Sequence, residues 1–195
     1  MRCVAVVVIA GWLGACAGRD PYVFSESNKT VGNWTIDKTV DRVTGAPTAS
    51  ALLTTQNASN SGAPNPGTAM LQLTCFENNP IVRLSFDFKI GTDKNSVLGY
   101  RFDDKPGRDN VNSRILVGYT VLVIEDPAEV ARFAADLPAS NALVVRIRSL
   151  NAGRTVADFK LEGAASALEA GFAGCPIPPS APAAVAAKPR KRAGS

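Results

Sequence analysis

The 195-residue chain contains no histidine. Without an imidazole there is no Ser-His-Asp or Cys-His activation of a nucleophile, no histidine zinc site, and no side chain that ordinarily titrates near neutral pH. Most hydrolase chemistries are excluded with it. The G-x-S-x-G, S-x-x-K, P-loop and G-x-G-x-x-G patterns are also absent, so no nucleophile elbow, nucleotide cradle or cofactor is implied. Long apolar runs are scarce: Cys3–Leu13 spans 11 residues, where a membrane-crossing helix needs about 20. The formal charge of +4 does not extend to the body of the chain, because Val31 to Pro176 holds 14 basic and 15 acidic residues. A body near −1 predicts no basic face and no nucleic-acid partner.

What is present begins with an export pattern. Residues 1–17, MRCVAVVVIAGWLGACA, place Arg2 before the apolar run and small residues after it, the order of a secretory signal peptide. Two processing routes overlap at its exit. Leu13-Gly14-Ala15-Cys16 resembles a bacterial lipobox, in which Cys16 is lipidated and becomes the new N-terminus, whereas Ala15-Cys16-Ala17 has the small-x-small form cut by an ordinary signal peptidase. With Ala17 and Gly18 after the cysteine, resemblance to bacterial sorting rules implies a periplasmic protein tethered to the outer membrane by a lipid anchor. Either route leaves Cys75 and Cys175, and two cysteines in an oxidising compartment form one bridge. The alternative is two separate buried thiols.

Residues 18–30 are polar without periodicity and read as a tether, residues 31–176 as the folded domain, and residues 177–195 as a disordered Pro/Ala-rich tail ending in four basic residues. Within the domain, Leu71, Leu73 and Cys75 alternate with polar neighbours. After the Glu77-Asn78-Asn79-Pro80 turn, Val82, Leu84, Phe86 and Phe88 do the same, which predicts a hairpin with one wet face. Further period-2 runs cover Val97–Asp103, Ile115–Ile124, Ala142–Ser149 and Arg154–Leu161, with weaker ones around Trp34 and Ala51–Gln56. About eight strands result. Gln56–Thr68, rich in Asn, Ser, Gly and Pro, reads as a mobile loop.

Two helices interrupt the strands. Asp126-Pro127-Ala128-Glu129 supplies an N-cap, Pro at the first helical position and Glu at N3, and Val130, Phe133, Ala134 and Leu137 keep helical spacing up to Pro138. Gly163 to Phe172 is the second and shorter helix. The expected fold is therefore mainly β, an antiparallel sandwich or barrel-like sheet with two short helices and one disulfide.

Candidate chemistry is thin. Asp103, Asp104 and Asp109 share the loop FDDKPGRDN and could hold calcium or act as an acid/base pair, but Lys105 and Arg108 compete with a cation and the spacing is not that of an EF-hand. A charged turn is the plain reading, and no metal is assigned. The sequons at Asn28, Asn33 and Asn57 read as chance in a bacterial protein. In Tyr100-Arg101-Phe102-Asp103 a strand would point Tyr100 and Phe102 one way and Arg101 and Asp103 the other. Arg101 and Asp103 could pair there, or Arg101 could act as a fork for a ligand carboxylate, making Tyr100, Arg101 and Asp103 the candidate binding residues.

Trp34 near the domain start, Cys75, the strand Gly99–Asp103, Phe159-Lys160-Leu161-Glu162-Gly163, Ala167-Leu168 and the final Cys175 together resemble the TagO/VasI family of envelope proteins associated with type VI secretion. The resemblance covers about residues 31–176 and implies a β-rich domain with one disulfide and an accessory role without catalysis. The basic Pro/Ala tail departs from that pattern. The function expected is an exported envelope accessory or binding protein whose partner is an envelope protein or a cell-wall component. The alternatives are an inhibitor of a cell-wall hydrolase and a carboxylate-dependent enzyme built on Asp103 or Asp109.

Overall fold

A computed structural model describes residues 23–62, 66–116 and 118–177, with side chains from residue 28 onward. The proposed leader, Cys16 and the tail beyond residue 177 lie outside the described residues. Eleven strands form one antiparallel sheet among those described. They are β1 (Val23–Val31), β2 (Trp34–Asp41), β3 (Pro47–Asn60), β4 (Gly67–Phe76), β5 (Asn79–Phe86), β6 (Ser96–Phe102), β7 (Arg108–Val111), β8 (Arg114–Ile115), β9 (Val121–Ile124), β10 (Ala142–Ser149) and β11 (Gly153–Lys160). The main order is β7-β6-β10-β11-β3-β4-β5-β9-β8. Helix α1 (Pro127–Asp136) and helix α2 (Ala164–Gly171) complete the fold.

The sheet curls into a half-barrel, and its connectivity explains the curl. Its two end strands, β7 and β8, are joined by residues 112–113 alone, so the chain itself holds the ends near each other. Helix α1 sits inside the curl: Phe133 stacks edge-on against Tyr100 and Phe102 of β6 at 5.2 and 5.0 Å, and the same helix contacts β5 on the other limb. Each strand sends its alternate apolar side chains inward, among them Leu71 and Leu73 of β4, Val82 and Leu84 of β5, and Leu143, Val145 and Ile147 of β10. Full burial of each such side chain stabilises by about 1.5–3 kcal/mol.

Helix α1 starts where its sequence signals lie. The Asp126 carboxylate accepts hydrogen bonds from the N–H groups of Ala128 and Glu129, both at 3.0 Å, and Pro127 stands at the first turn, where its missing N–H costs nothing. Helix α2 lies against β2, β3 and β4. The Cys75–Cys175 disulfide, with Cα atoms 6.0 Å apart, staples the segment after α2 to the end of β4.

Four expectations are corrected. Residues 23–30, expected in the tether, belong to β1, which pairs with β2 through backbone bonds; Asn28, Lys29 and Thr30 are all exposed, so no buried face imposes periodicity at those three positions. The expected loop 56–68 is shorter, because β3 continues to Asn60. Its N-terminal half pairs with β2 and its C-terminal end pairs with β11, with a bulge between Thr55 and Ala58. The run Ile115–Ile124 is a tight β8–β9 pair rather than one strand. Strand β7 arises inside the supposed charged turn.

Candidate functional site

The outer surface of β6, β10 and β11 is set by register. Arg101 faces Val144, Gly99 faces Arg146, and Val97 faces Arg148 across the β6–β10 ladder. On the other side of β10, Arg146 faces Val156 and Arg148 faces Arg154. Alternation that turns Leu98, Tyr100, Val145 and Ile147 inward therefore gathers Arg101, Arg146, Arg148 and Arg154 outside. Asp109 reaches this face from β7. It accepts from Arg146 Nη2 at 3.0 Å through one oxygen and from Arg148 Nη2 at 2.8 Å through the other. Removal from water pushes its carboxyl up, but the Asn110 N–H and the two guanidinium groups outweigh that and hold it below the ordinary carboxylate value.

Two adjoining hollows result. The first, about 360 Å³, is lined by Gly99, Arg101, Arg108, Asp109, Val144 and Arg146. The second, about 670 Å³, is lined by Lys94, Arg148, Ser149, Leu150 and Arg154. Arg108, opposite the inward-turned Tyr100, lines the first hollow with its backbone, so five cationic side chains (Lys94, Arg101, Arg146, Arg148 and Arg154) and one carboxylate line the pair, in a domain whose residues 31–176 sum to −1. The expectation that there is no basic face is corrected by this segregation: composition counts charges, whereas register decides which of them meet. Among the described residues the guanidinium groups of Arg101, Arg108 and Arg154 make no ion pair.

No protein-family model matches the chain, and no curated protein matches it. Among solved structures, invasion associated protein B from Bartonella henselae is similar with a TM-score of 0.47 and 14% identity, over 73% of this chain and 94% of that one.

The acidic residues singled out in the sequence are kept apart. The Asp103 carboxylate accepts from the N–H groups of Asn141 and Ala142 at 2.8–3.1 Å, locking the turn after β6; it is engaged with backbone rather than with Arg101. Lys105 pairs with Asp136 at 3.2 Å. Asp109 belongs to the arginines. Among the described residues no group of three metal-ligating side chains converges. Tyr100 is turned into the core beside Phe102 and Phe133, its hydroxyl has no hydrogen-bond partner among the described residues, and burial pushes its phenol up to about 12. Of the three candidate binding residues, Arg101 alone offers its side chain to the hollow.

Sequence reasoning missed Arg146, Arg148, Arg154 and the role of Gly99. A signal was present: Arg146 and Arg148 are two apart in a strand, hence on one face, and the short connection between β10 and β11 places Arg154 opposite Arg148.

Proposed function

We propose that this chain is an exported bacterial envelope protein that works by binding rather than catalysis, and that the arginine-rich outer face of β6, β10 and β11 is its recognition surface. The observation that carries the reading is the convergence of five cationic side chains on two adjoining hollows against one carboxylate. Guanidinium groups without an internal partner are donors reserved for an outside acceptor, and planar arginine forks favour oxyanions. The leader pattern supports export, with lipidation at Cys16 tethering the protein to the outer membrane. The TagO/VasI resemblance supports an accessory role beside a type VI secretion apparatus.

The test is a crosslinking pull-down from intact cells with wild type and with Arg101→Gln/Arg154→Gln. Neither side chain is ion-paired among the described residues, so the variant should keep its fold and lose its partner. Recovery of secretion-apparatus components supports the accessory role. Recovery of wall hydrolases, with stoichiometric suppression of their activity in vitro, supports the inhibitor alternative at the same surface. Unchanged capture by the variant removes the surface from consideration. Turnover of a wall-derived substrate that Asp109→Asn abolishes would replace binding by catalysis.

A further inference from the structure

We infer that the hollow over Gly99 is a carboxylate-binding subsite, and that with its neighbour it takes an extended acidic peptide segment bearing carboxylates four residues apart. This deepens the binding reading and rests on the outer face being a recognition surface. The first support is Gly99 itself. A Cβ there would lie 2.9 Å from the Arg108 carbonyl oxygen, 3.0 Å from Asp109 Oδ1 and 3.3 Å from Arg146 Nη2. The bare backbone therefore lets these groups close around the floor of the hollow.

The second support is donor capacity. A guanidinium has five N–H donors, and Asp109 uses one Nη2 on each of Arg146 and Arg148. Arg101 is exposed and makes no ion pair among the described residues, so its whole fork is open. Arg101 and Arg146 against Asp109 leave this hollow positive. Arg154 directly opposite Arg148 is a like-charge cross-strand neighbour; Asp109 already answers Arg148, and Arg154 makes no ion pair among the described residues.

Asp109 also shows which anion suits the place. A carboxylate already sits between neighbouring arginines of β10, one oxygen to each, at 2.8–3.0 Å. A further carboxylate repeats that geometry with one negative charge. A phosphate would bring a second negative charge up against Asp109. The spacing then selects a chain over a free acid. Val144 marks the first hollow and Arg148 the second, four residues along β10, which is about 13 Å at ~3.3 Å per residue. In an extended peptide, side chains i and i+4 share a face at the same separation. Val144 and Val156 give the intervening chain an apolar floor.

The probe is a peptide with glutamates at positions 1 and 5, titrated into the full chain with the arginine Nε–Hε resonances followed by NMR. Its controls carry glutamines at both positions or glutamates at positions 1 and 2; glutarate and inorganic phosphate are separate arms. The 1,5-peptide should bind at least tenfold tighter than every control, shift Arg101, Arg146 and Arg154, and weaken with salt. Arg101→Ala and Arg154→Ala should each cost about tenfold, and Arg101→Lys should not restore the loss because it lacks the fork. Equal binding of glutarate or of the 1,2-peptide overturns the chain-length inference, and tighter binding of phosphate overturns the carboxylate. If the 1,5-peptide fails to bind while Arg101→Gln/Arg154→Gln still abolishes capture from cells, this inference falls and the recognition surface stands. If the peptide binds and capture from cells is indifferent to the variant, the subsite stands and the functional reading falls.

Discussion

Replacing Gly163 by alanine should be among the most damaging single-atom additions to this fold. Gly163 has φ +89°, and a Cβ there would run into the Val31 carbonyl oxygen; across the same contact, a Cβ on Gly32 (φ +58°) would run into the Glu162 carbonyl. Two backbones meet here with no room for a side chain on either. The contact carries the turn between β1 and β2: the Asn33 N–H donates to Glu162 at 3.0 Å, the Asn33 amide to Lys160 at 3.2 Å, and the fully buried Trp34 points its indole N–H at Leu161. An alanine at positive φ costs about 1–2 kcal/mol, and the more restricted unfolded chain returns about 0.4–1. Opening the contact adds about 1 kcal/mol for each hydrogen bond lost, giving about 3 kcal/mol in total and a fall in Tm of about 6–12 °C for a chain of this size. Gly45→Ala is the control. Gly45 has φ +70°, but nothing lies within 4 Å of its Cβ position, so only the backbone cost of about 1 kcal/mol applies. Urea unfolding followed by tryptophan fluorescence measures both, since Trp34 is the single tryptophan among the described residues and is fully buried. Equal destabilisation by the two variants would refute close approach as the reason for glycine at 163.

Three further outcomes are expected. Tyr100 has its folded-state pKa raised to about 12 from 10.0 by burial, so the stability this confers is full below pH 10 and falls as pH rises towards 12; the loss is about 2–3 kcal/mol, and Tyr100→Phe should flatten it in alkaline urea titrations. The double variant Cys75→Ser/Cys175→Ser opens a loop with a sequence separation of 100, which in the chain-entropy model costs up to about 4.7 kcal/mol. An unchanged urea midpoint would show that the staple does not hold α2 to the sheet. Cys16→Ala should abolish acyl labelling and release the protein from the membrane fraction, while a wild type that carries no acyl label would leave ordinary signal cleavage as the route.

Much of the scaffold was legible because its signals are local. The Asp126-Pro127 start of α1, the alternation in β4, β5, β6, β10 and β11, and the Cys75–Cys175 bridge each follow from neighbouring residue types or from a count. The misreadings share one cause. β1 and the far end of β3 are strands because partners supply their hydrogen bonds, and a strand without a buried face, as at Asn28 to Thr30, leaves no periodic mark. Strand β7 hides in FDDKPGRDN because it is four residues long and only Val111 in it is buried, so pairing with β6 rather than an apolar alternation makes it a strand.

The candidate site divides in the same way. Sequence alone determined that imidazole chemistry is impossible, that Tyr100 and Arg101 take opposite faces, and that Arg146 and Arg148 take one. It could not determine that Asp103 would be drawn off to the amides of Asn141 and Ala142, or that Asp109 would cross to two arginines 37 and 39 positions away. Those outcomes depend on register between strands remote in the chain, and register is decided by which inward faces pack together around α1. Tertiary structure therefore turned a near-neutral stretch, residues 31–176, into a half-barrel with a basic outer face, because the pairings that bury its apolar side chains also bring Arg101, Arg146, Arg148 and Arg154 side by side.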